Sequence, residues 1–212
     1  MPYRTPLATC VLTAVFLAML PAANASDAPA SNEKVIYSFK SLVLAGAFPG
    51  GGLIADTVGN LYGTSGGGVF NFGAVFKLRP NTDGTWTKVI LYSFQGAPDG
   101  EYPRGPLVFD ARGNLYGVTS EGGFCNNGCG TVFELSPQAI GTWTEKILYQ
   151  FTNGNDGQYP TGIIFDKAGN LYGTSSIEAF ELAPAAGGKW TFSVLHTFTG
   201  LGGVVALRTR WS

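Results

Sequence analysis

The sequence predicts an all-β fold of repeated four-stranded antiparallel blades: a partial β-propeller with three blades and one additional N-terminal strand. A unit of about 50 residues occurs three times, which is the length of a propeller blade. Each unit contains four short apolar or alternating segments of the kind that form strands. Glycine accounts for 31 of 212 residues, which favours many tight turns. A closed threefold β body such as a trefoil remains an alternative, since it would show the same repeat.

The first residues have the features of a secretory signal peptide. Arg4 is followed by the uncharged apolar segment Leu7–Leu20 and by the small-x-small site Ala23-Asn24-Ala25. This apolar segment is shorter than the roughly 20 residues that a membrane-spanning helix requires. We therefore expect an exported protein, located outside the cell, at its surface or in the periplasm. The predicted divisions are a signal peptide at 1–25, a linker at 26–33, a three-repeat domain at 34–200 and a non-repeat tail at 201–212.

The four strands of a unit follow one another in a fixed order, as the first repeat shows. Residues 53–55 (LIA) form a short apolar strand, and GNLYG at 59–63 leads into the second strand. The third strand, VFKL at 75–78, alternates between apolar and polar residues, and the fourth, TKVILYSF at 87–94, is longer. The corresponding segments are LVF, GNLYG, VFEL and TEKILYQF in the second repeat, and IIF, GNLYG, AFEL and TFSVLHTF in the third.

The fourth strand carries two further predictions. Period-two alternation places Ile90, Tyr92 and Phe94 on one face of the sheet. A similar segment, EKVIYSF at 33–39, precedes the first repeat without three strands of its own. We interpret it as the fourth strand of a further blade, because propellers close when one terminus completes the terminal blade.

An aspartate precedes each GNLYG motif by three residues, at Asp56, Asp110 and Asp166. The pattern D-x-x-G-N is typical of a tight hairpin, because Asp accepts hydrogen bonds from turn amides and Gly or Asn adopts positive φ. Three repeated acids also suggest calcium, but a calcium site needs several oxygen ligands that converge in one loop. We therefore assign these aspartates to turn stabilisation and expect neither a metal nor a cofactor.

Three sequence patterns recur in order within the chain: D-x-x-GNLYGT, G-G-x…G-x-VF-x-L and W-T-x-x-x-L-Y-x-F. Together they resemble the Gloeo/Verruco-type tandem repeat of exported bacterial proteins. The resemblance covers residues 34–198, and its D-x-x-GNL part is also similar to regulator-type and NHL-type propeller blades. It implies a propeller-like repeat protein, often tethered to the cell surface by a separate C-terminal anchor, and it carries over no catalytic residues. Because only three units are present and LGGVVALRTRWS does not continue the repeat, we expect a fragment of a longer protein or an arc completed by self-association.

Two cysteines follow the signal segment, Cys125 and Cys129. In an oxidising compartment, this spacing favours a local disulfide. His196 occupies the strand position that Tyr92 and Tyr149 hold in the other repeats, which favours a structural role over that of a catalytic base. No serine or cysteine nucleophile with a positioned histidine is visible.

Loops that vary in length on a rigid scaffold are the best candidates for binding. In a four-stranded blade, the fourth-to-first and second-to-third loops emerge on one face, opposite to the D-x-x-G-N turns and the turns that end in tryptophan. Acids, amides and tyrosines gather in these loops, although PDG and NDG are also ordinary turn sequences. The candidate binding residues are Asp99, Glu101, Tyr102, Asn126, Asn127, Asp156 and Tyr159.

Two functions are compatible with these features. The first is an exported, non-catalytic scaffold or binding module for carbohydrate or a cell-surface protein. The second is an extracellular polysaccharide hydrolase or lyase, in which Asp99 and Asp156 of equivalent loops form an acid pair. The balance of 13 basic and 14 acidic residues argues against a nucleic-acid partner. No second apolar segment follows the signal peptide, so no membrane span is expected in the mature chain.

Overall fold

The computed structural model describes residues 34–39, 47–125 and 128–199. These residues contain three separate sheets, each formed by four antiparallel strands in sequence order. The predicted signal peptide, linker and C-terminal tail lie outside the described residues, as do Asn126 and Asn127. The helical content of the described ranges is one 3-10 turn at Ala186–Gly188. No helix in this part of the chain is long and apolar enough to cross a membrane.

Each repeat forms one blade. Blade 1 contains β1 (Ile54–Ala55), β2 (Leu61–Ser65), β3 (Ala74–Pro80) and β4 (Trp86–Ser93). Blade 2 contains β5 (Gly100–Phe109), β6 (Leu115–Gly122), β7 (Thr131–Pro137) and β8 (Trp143–Gln150). Blade 3 contains β9 (Gly162–Phe165), β10 (Leu171–Thr174), β11 (Glu178–Ala185) and β12 (Lys189–Thr197). The predicted blades are confirmed, and three separate sheets exclude the trefoil alternative, in which all repeats contribute to one barrel.

The two glycines of GNLYG are required for different reasons. The first has a positive φ in every blade, 88° at Gly59, 85° at Gly113 and 90° at Gly169, which glycine adopts without steric cost. The second lies beneath a phenyl ring. A Cβ on Gly117 would lie 2.6 Å from the ring of Phe133. The motif therefore combines a backbone requirement at the turn with a packing requirement in the second strand.

The aspartate before each motif organises the hairpin that joins the first two strands. Asp56 Oδ1 accepts hydrogen bonds from the backbone amides of Val58 (3.1 Å) and Asn60 (2.9 Å). Its Oδ2 accepts from the Asn60 side-chain amide (2.7 Å) and from the Tyr62 hydroxyl (3.0 Å). Asp110 and Asp166 have the same four contacts in their own hairpins. The tyrosine hydroxyl of each motif therefore donates a hydrogen bond to the aspartate that precedes the motif, and the turn pattern in the sequence does not predict this contact.

A β-bulge in the fourth strand of each blade changes the predicted faces. In blade 1, Ile90 pairs with Phe76 and Tyr92 pairs with Val75, with one extra residue between them. Because Phe76 and Val75 are adjacent and point to opposite faces, Ile90 and Tyr92 also do so. Tyr92 and Phe94 share a face, and their ring centroids lie 5.1 Å apart. The prediction that Ile90 shares this face is wrong, because alternation is interrupted at a bulge.

Consecutive blades pack face to face, and two interfaces result. The first interface, between blades 1 and 2, has a buried core of Tyr62, Val75, Phe94, Leu107, Leu115, Phe133 and Leu135. The second interface, between blades 2 and 3, has a buried core of Tyr116, Val118, Cys129, Val132, Phe151, Ile163, Leu171, Phe180 and Leu182. Trp143 packs against the first core and Trp190 against the second. The two interfaces therefore use equivalent positions of the repeat.

The segment before blade 1 occupies the place of a fourth strand. Phe39 contacts Phe76 with ring centroids 5.1 Å apart and an interplanar angle of 65°. The equivalent pair in the first interface, Phe94 and Phe133, has 5.1 Å and 66°. No strand is assigned at residues 34–39, because the described residues offer no neighbouring strand with which they pair. Phe39 therefore packs as the phenylalanine of a fourth strand does, but residues 34–39 form no β-ladder.

One predicted loop is partly a strand. β5 begins at Gly100, so Glu101 and Tyr102 belong to it, and Glu101 pairs with Glu121 of β6. The register of this pair of strands shifts between Arg104 and Val108. Such an irregularity accommodates the prolines and glycine of this segment, whose composition indicates a loop.

Candidate functional site

A cavity of about 520 Å³ lies at the edge of the first interface. Blade 1 contributes Tyr92 at the end of β4 and the loop that leads to β5. Blade 2 contributes side chains of β8 and the β6–β7 loop. The lining residues are Tyr92, Gln95, Gly96, Ala97, Pro98, Asp99, Phe124, Glu145, Ile147 and Gln150.

Asp99 shapes the wall that blade 1 contributes. Its Oδ2 accepts hydrogen bonds from the Tyr92 hydroxyl (2.9 Å) and the Gln95 backbone amide (3.0 Å). Its Oδ1 accepts from the Gly100 backbone amide at 2.7 Å. The bulge in β4 turns Tyr92 towards blade 2, so the hydroxyl and the carboxylate lie together at the cavity. Asp99 therefore serves the turn and also places a negative charge at the cavity wall.

Glu145 supplies a second carboxyl group from β8. It pairs with Leu135, whose side chain lies in the core of the first interface, so Glu145 is on the face that blade 1 covers. Its Oε1 is buried and has no hydrogen-bond partner among the described residues. Burial, and secondly the charge of Asp99, raise the pKa of Glu145 to about 7. A carboxyl group in this environment exchanges its proton near neutral pH.

The electrostatic character of the cavity is acidic with apolar walls. Burial raises the pKa of the Tyr92 hydroxyl above its usual value, and the charges of Asp99 and Glu145 add to this shift. Within the described part of the chain, no lysine, arginine or histidine lines the cavity. Phe124, which is 78% exposed, and Ile147 supply apolar surface. The site is therefore suited to a ligand with a polar or positively charged group.

The position of Glu145 is occupied differently in the other blades. In blade 3 it is Phe192, which pairs with Leu182 as Glu145 pairs with Leu135. The Phe192 ring stacks on Tyr149 with centroids 4.3 Å apart and planes at 10°. A phenyl ring thus lies against the tyrosine of the preceding blade, where the first interface has a carboxyl group.

In blade 1 the same position is Lys88, which pairs with Leu78. Its Nζ lies 5.8 Å from the centroid of the Tyr37 ring and 4.9 Å from that of Phe39. Three equivalent positions thus present an ammonium, a carboxyl group and a phenyl ring to the tyrosine of the preceding segment.

Asp156, the counterpart of Asp99, lies in the second interface. It is only 6% exposed. Its Oδ2 accepts from the Tyr149 hydroxyl and the Thr152 amide, both at 2.9 Å, and its Oδ1 accepts from the Thr152 hydroxyl (2.8 Å) and the Gly154 amide (3.1 Å). Each carboxylate is bonded within its own segment, and Asp156 does not line the cavity that Asp99 lines.

Glu101, Tyr102 and Tyr159 do not line this cavity, and Asn126 and Asn127 lie outside the described residues. Glu101 Oε1 accepts a hydrogen bond from the Ala97 amide at 3.1 Å. Tyr102 and Tyr159 are 37% and 41% exposed, and both have a φ of 53°. Tyr159 lines a separate cavity of about 330 Å³ together with Arg104, Ser120 and Glu121.

Glu145 is absent from the sequence-based candidates because it reads as one polar residue in an alternating strand. The signal that identifies it is the comparison between repeats. A lysine, a glutamate and a phenylalanine share this position in blades 1, 2 and 3, and residues of such different chemistry do not serve the same packing role.

Cys125 and Cys129 form a disulfide, which confirms that prediction. The bridge begins immediately after Phe124, at the rim of the cavity. Within the ranges that the structure describes, no group of three or more His, Cys, Asp and Glu side chains is arranged to hold a metal ion.

Solved structures similar to this chain include two enzymes. A gluconolactonase from Xanthomonas campestris is 16% identical, with a TM-score of 0.44 over 67% of this chain and 45% of that one. Virginiamycin B lyase from Staphylococcus aureus is 15% identical, with a TM-score of 0.47 over 76% of this chain and 45% of that one. The chain spans about half the length of the solved structures that it matches. No curated protein matches it significantly.

The family comparison agrees with the repeat seen in the sequence. The pattern described as the Gloeobacter/Verrucomicrobia repeat matches residues 26–209. The match includes all three blades and therefore every GNLYG hairpin and every fourth strand. The protein belongs to the Gloeobacter/Verrucomicrobia repeat family.

Proposed function

We propose that this protein is an exported, non-catalytic repeat module that binds a ligand in the cavity of the first interface. The observation that carries the proposal is the contrast between Glu145 and Phe192. One leaves a buried carboxylate oxygen without a partner beside a cavity, whereas the other fills the equivalent place with a ring. A buried carboxyl oxygen without a hydrogen-bond partner costs stability, and carboxyl groups with a strongly raised pKa are concentrated at binding and catalytic sites.

The proposed ligand classes are carbohydrate and a group on a cell-surface protein. The cavity volume falls in the range of roughly 300–1,000 Å³ typical of small-molecule sites. Tyr92 and Phe124 offer ring faces, and Gln150 and Asp99 offer hydrogen-bonding groups. Export is supported by the signal-peptide pattern at residues 1–25 and by the Cys125–Cys129 disulfide, since disulfides persist in oxidising compartments.

Export is tested by expression of the full chain in a bacterial host. We expect the mature protein outside the cytoplasm, with Ser26 as its first residue in N-terminal sequencing. If the protein stays in the cytoplasmic fraction with residues 1–25 still attached, the export part of the proposal is wrong.

Binding is tested by calorimetry of the mature protein with a panel of oligosaccharides and surface-derived peptides. Glu145→Phe places a ring where blade 3 has Phe192, and we expect it to abolish binding without loss of folding. Thr144→Phe is the matched control, because the adjacent residue points to the other face of β8 and is exposed. Binding that persists in Glu145→Phe would place the ligand elsewhere.

A second function, an extracellular polysaccharide hydrolase or lyase, is favoured by the environment of Glu145. A carboxyl group with a pKa of about 7, next to the negative charge of Asp99, has the properties of a general acid paired with a second carboxylate. Turnover of a bound polysaccharide that is lost in Glu145→Gln, with binding retained, would establish the enzyme. Binding without turnover in the unmodified protein would establish the module.

A further inference from the structure

The titratable groups that line the cavity with Glu145 are a carboxylate and a phenol, and the remaining side chains that line it are amides or apolar groups. From blade 1, Tyr92 of β4 and Asp99 of the following loop are the titratable groups at the cavity. From blade 2, the neighbours of Glu145 on the same face of β8 are Trp143 and Ile147. Among the residues that the structure describes, no basic side chain lines the cavity. A cation from outside the chain would compensate the two carboxylates, which repel each other and are partly withdrawn from water.

The segment before blade 1 shows which cation fits this aromatic frame. The ammonium of Lys88 lies 5.8 Å from the ring centroid of Tyr37, 4.9 Å from that of Phe39 and 6.0 Å from that of Phe76. These distances are within the range of cation–π contacts.

The first interface repeats this frame with Tyr92, Phe94 and Phe133. The Tyr37–Phe39 centroid distance is 5.1 Å, and the Tyr92–Phe94 distance is also 5.1 Å. At the first interface the position of Lys88 is Glu145, so this position of the repeat presents a carboxyl group in place of an ammonium.

We propose that the cavity of the first interface binds a primary ammonium group of its ligand, between Glu145 and Asp99 and against the ring of Tyr92. The inference rests on the proposed function, namely that this cavity is a ligand site, and adds the chemical class of the ligand. Two sources share this chemistry, an aliphatic amine and an amino sugar. The cavity volume admits either as a single unit.

Protonation of Glu145 sets the pH dependence of this binding. An aliphatic primary amine remains charged up to about pH 10, whereas Glu145 gains its charge as the pH rises through about 7. The oxygens next to the amine of an amino sugar lower its pKa, so the following trend is expected for the aliphatic amine. Affinity for an ammonium therefore increases with pH, by about tenfold between pH 6 and pH 8. A ligand that accepts a hydrogen bond from the protonated carboxyl group would show the opposite trend.

The experiment is calorimetric titration of the mature protein with two matched pairs of probes. 1,5-Diaminopentane is compared with 1,5-pentanediol, and the glucosamine dimer with its N,N'-diacetylated form. We expect at least one amine to bind at least tenfold more tightly than its neutral counterpart, with the diamine measured at pH 8 and the glucosamine dimer at pH 7, where its amino groups still carry charge. Binding by the diamine alone or by the sugar alone identifies which source the site accepts.

Two variants test the assignment to Glu145. Glu145→Gln keeps the shape of the side chain and is expected to weaken amine binding at least tenfold and to remove its pH dependence. Glu145→Lys places an ammonium where blade 1 has Lys88, and we expect it to abolish amine binding. Glu134→Gln, on the neighbouring strand, is the matched control, because Glu134 does not line the cavity.

The outcomes separate the two proposals. If the diacetylated dimer binds as tightly as the glucosamine dimer and Glu145→Phe abolishes both, the cavity is a ligand site and the ammonium inference is wrong. If amine binding is the same in Glu145→Gln, Glu145→Lys and Glu145→Phe, both proposals are wrong. If no amine binds at millimolar concentration, the ammonium inference is also overturned, while the oligosaccharide panel still decides the proposed function.

Discussion

The two interfaces between blades have the same core and different edges. Phe94 and Phe151 occupy equivalent positions, and each contacts a phenylalanine of the next blade, at centroid distances of 5.1 and 5.3 Å. At the edge, however, Glu145 faces Tyr92 across a cavity, whereas Phe192 stacks on Tyr149. One position of the repeat therefore decides whether an interface is filled or presents a site.

This difference shows how a repeat protein acquires a site without losing its scaffold. The apolar core supplies most of the association between blades, because it removes several large side chains from water. The edge position contributes less to stability, so a residue of different chemistry is tolerated there.

The largest effect is expected from the shared core. Phe94→Ala and Phe151→Ala each remove a ring that is at most 1% exposed, and each is expected to destabilise the fold by about 3–5 kcal/mol. Urea unfolding of the two variants measures this cost. Costs that differ by more than about 2 kcal/mol would show that the interfaces do not share one core. Phe94→Leu and Phe151→Leu serve as milder variants if the alanine forms do not fold.

The next effect concerns the filled edge of the second interface. Phe192→Glu removes the stacked ring from Tyr149 and puts a carboxyl group in its place, as in blade 2. We expect a loss of about 2–3 kcal/mol in the free energy of unfolding. Phe192→Leu, which keeps the apolar contact, is the control and is expected to cost less than half as much. An unchanged midpoint in Phe192→Glu would mean that the ring does not support the interface.

The reverse substitution at the first interface should stabilise the protein. Glu145→Phe replaces a partly buried acid with a ring that can stack on Tyr92, and we expect a gain of about 2 kcal/mol at pH 8. Thr144→Phe, on the other face of β8, is expected to change stability by less than about 0.5 kcal/mol. Equal effects of the two variants in thermal unfolding would contradict a special role for the Glu145 position.

The smallest effect is a dependence of stability on pH. Because the folded-state pKa of Glu145 is raised to about 7 from an ordinary value of 4.5, the folded protein binds the proton more tightly than the unfolded chain. The contribution of Glu145 is therefore most favourable below pH 4.5 and is lost as the pH rises through 7.

Relative to Glu145→Gln, the unmodified protein should be equally stable at pH 4 and less stable by about 1 kcal/mol at pH 8, a value that allows for partial solvent screening. Unfolding curves of both proteins across this range measure the difference. A difference that is independent of pH would contradict the assigned burial of Glu145.

The candidate site was partly accessible from the sequence. The position of Asp99 in a loop between repeats predicts a binding residue, and Asp99 lies at the cavity in the structure. Asp156 has the same loop pattern, yet its carboxylate is only 6% exposed and is bonded to its own turn. The loop sequences alone do not distinguish these two environments, since exposure depends on the neighbouring blade.

The sequence by itself determined the repeated blades, the GNLYG hairpins and the Cys125–Cys129 disulfide. These features depend on residues close together in the chain: a turn requires Asp, Gly and Asn within five positions, and strands show as short apolar periods. The threefold repetition reinforced each of these local patterns.

Only the tertiary structure decided which side chains meet across an interface. The bulge in β4 turns Tyr92 towards blade 2, and the register of β8 places Glu145 on the face of blade 2 that packs against blade 1. Neither position is specified by local spacing, because a bulge changes the face of every residue beyond it. The raised pKa of Glu145 also arises only when blade 1 withdraws the carboxyl group from water and brings the charge of Asp99 close to it.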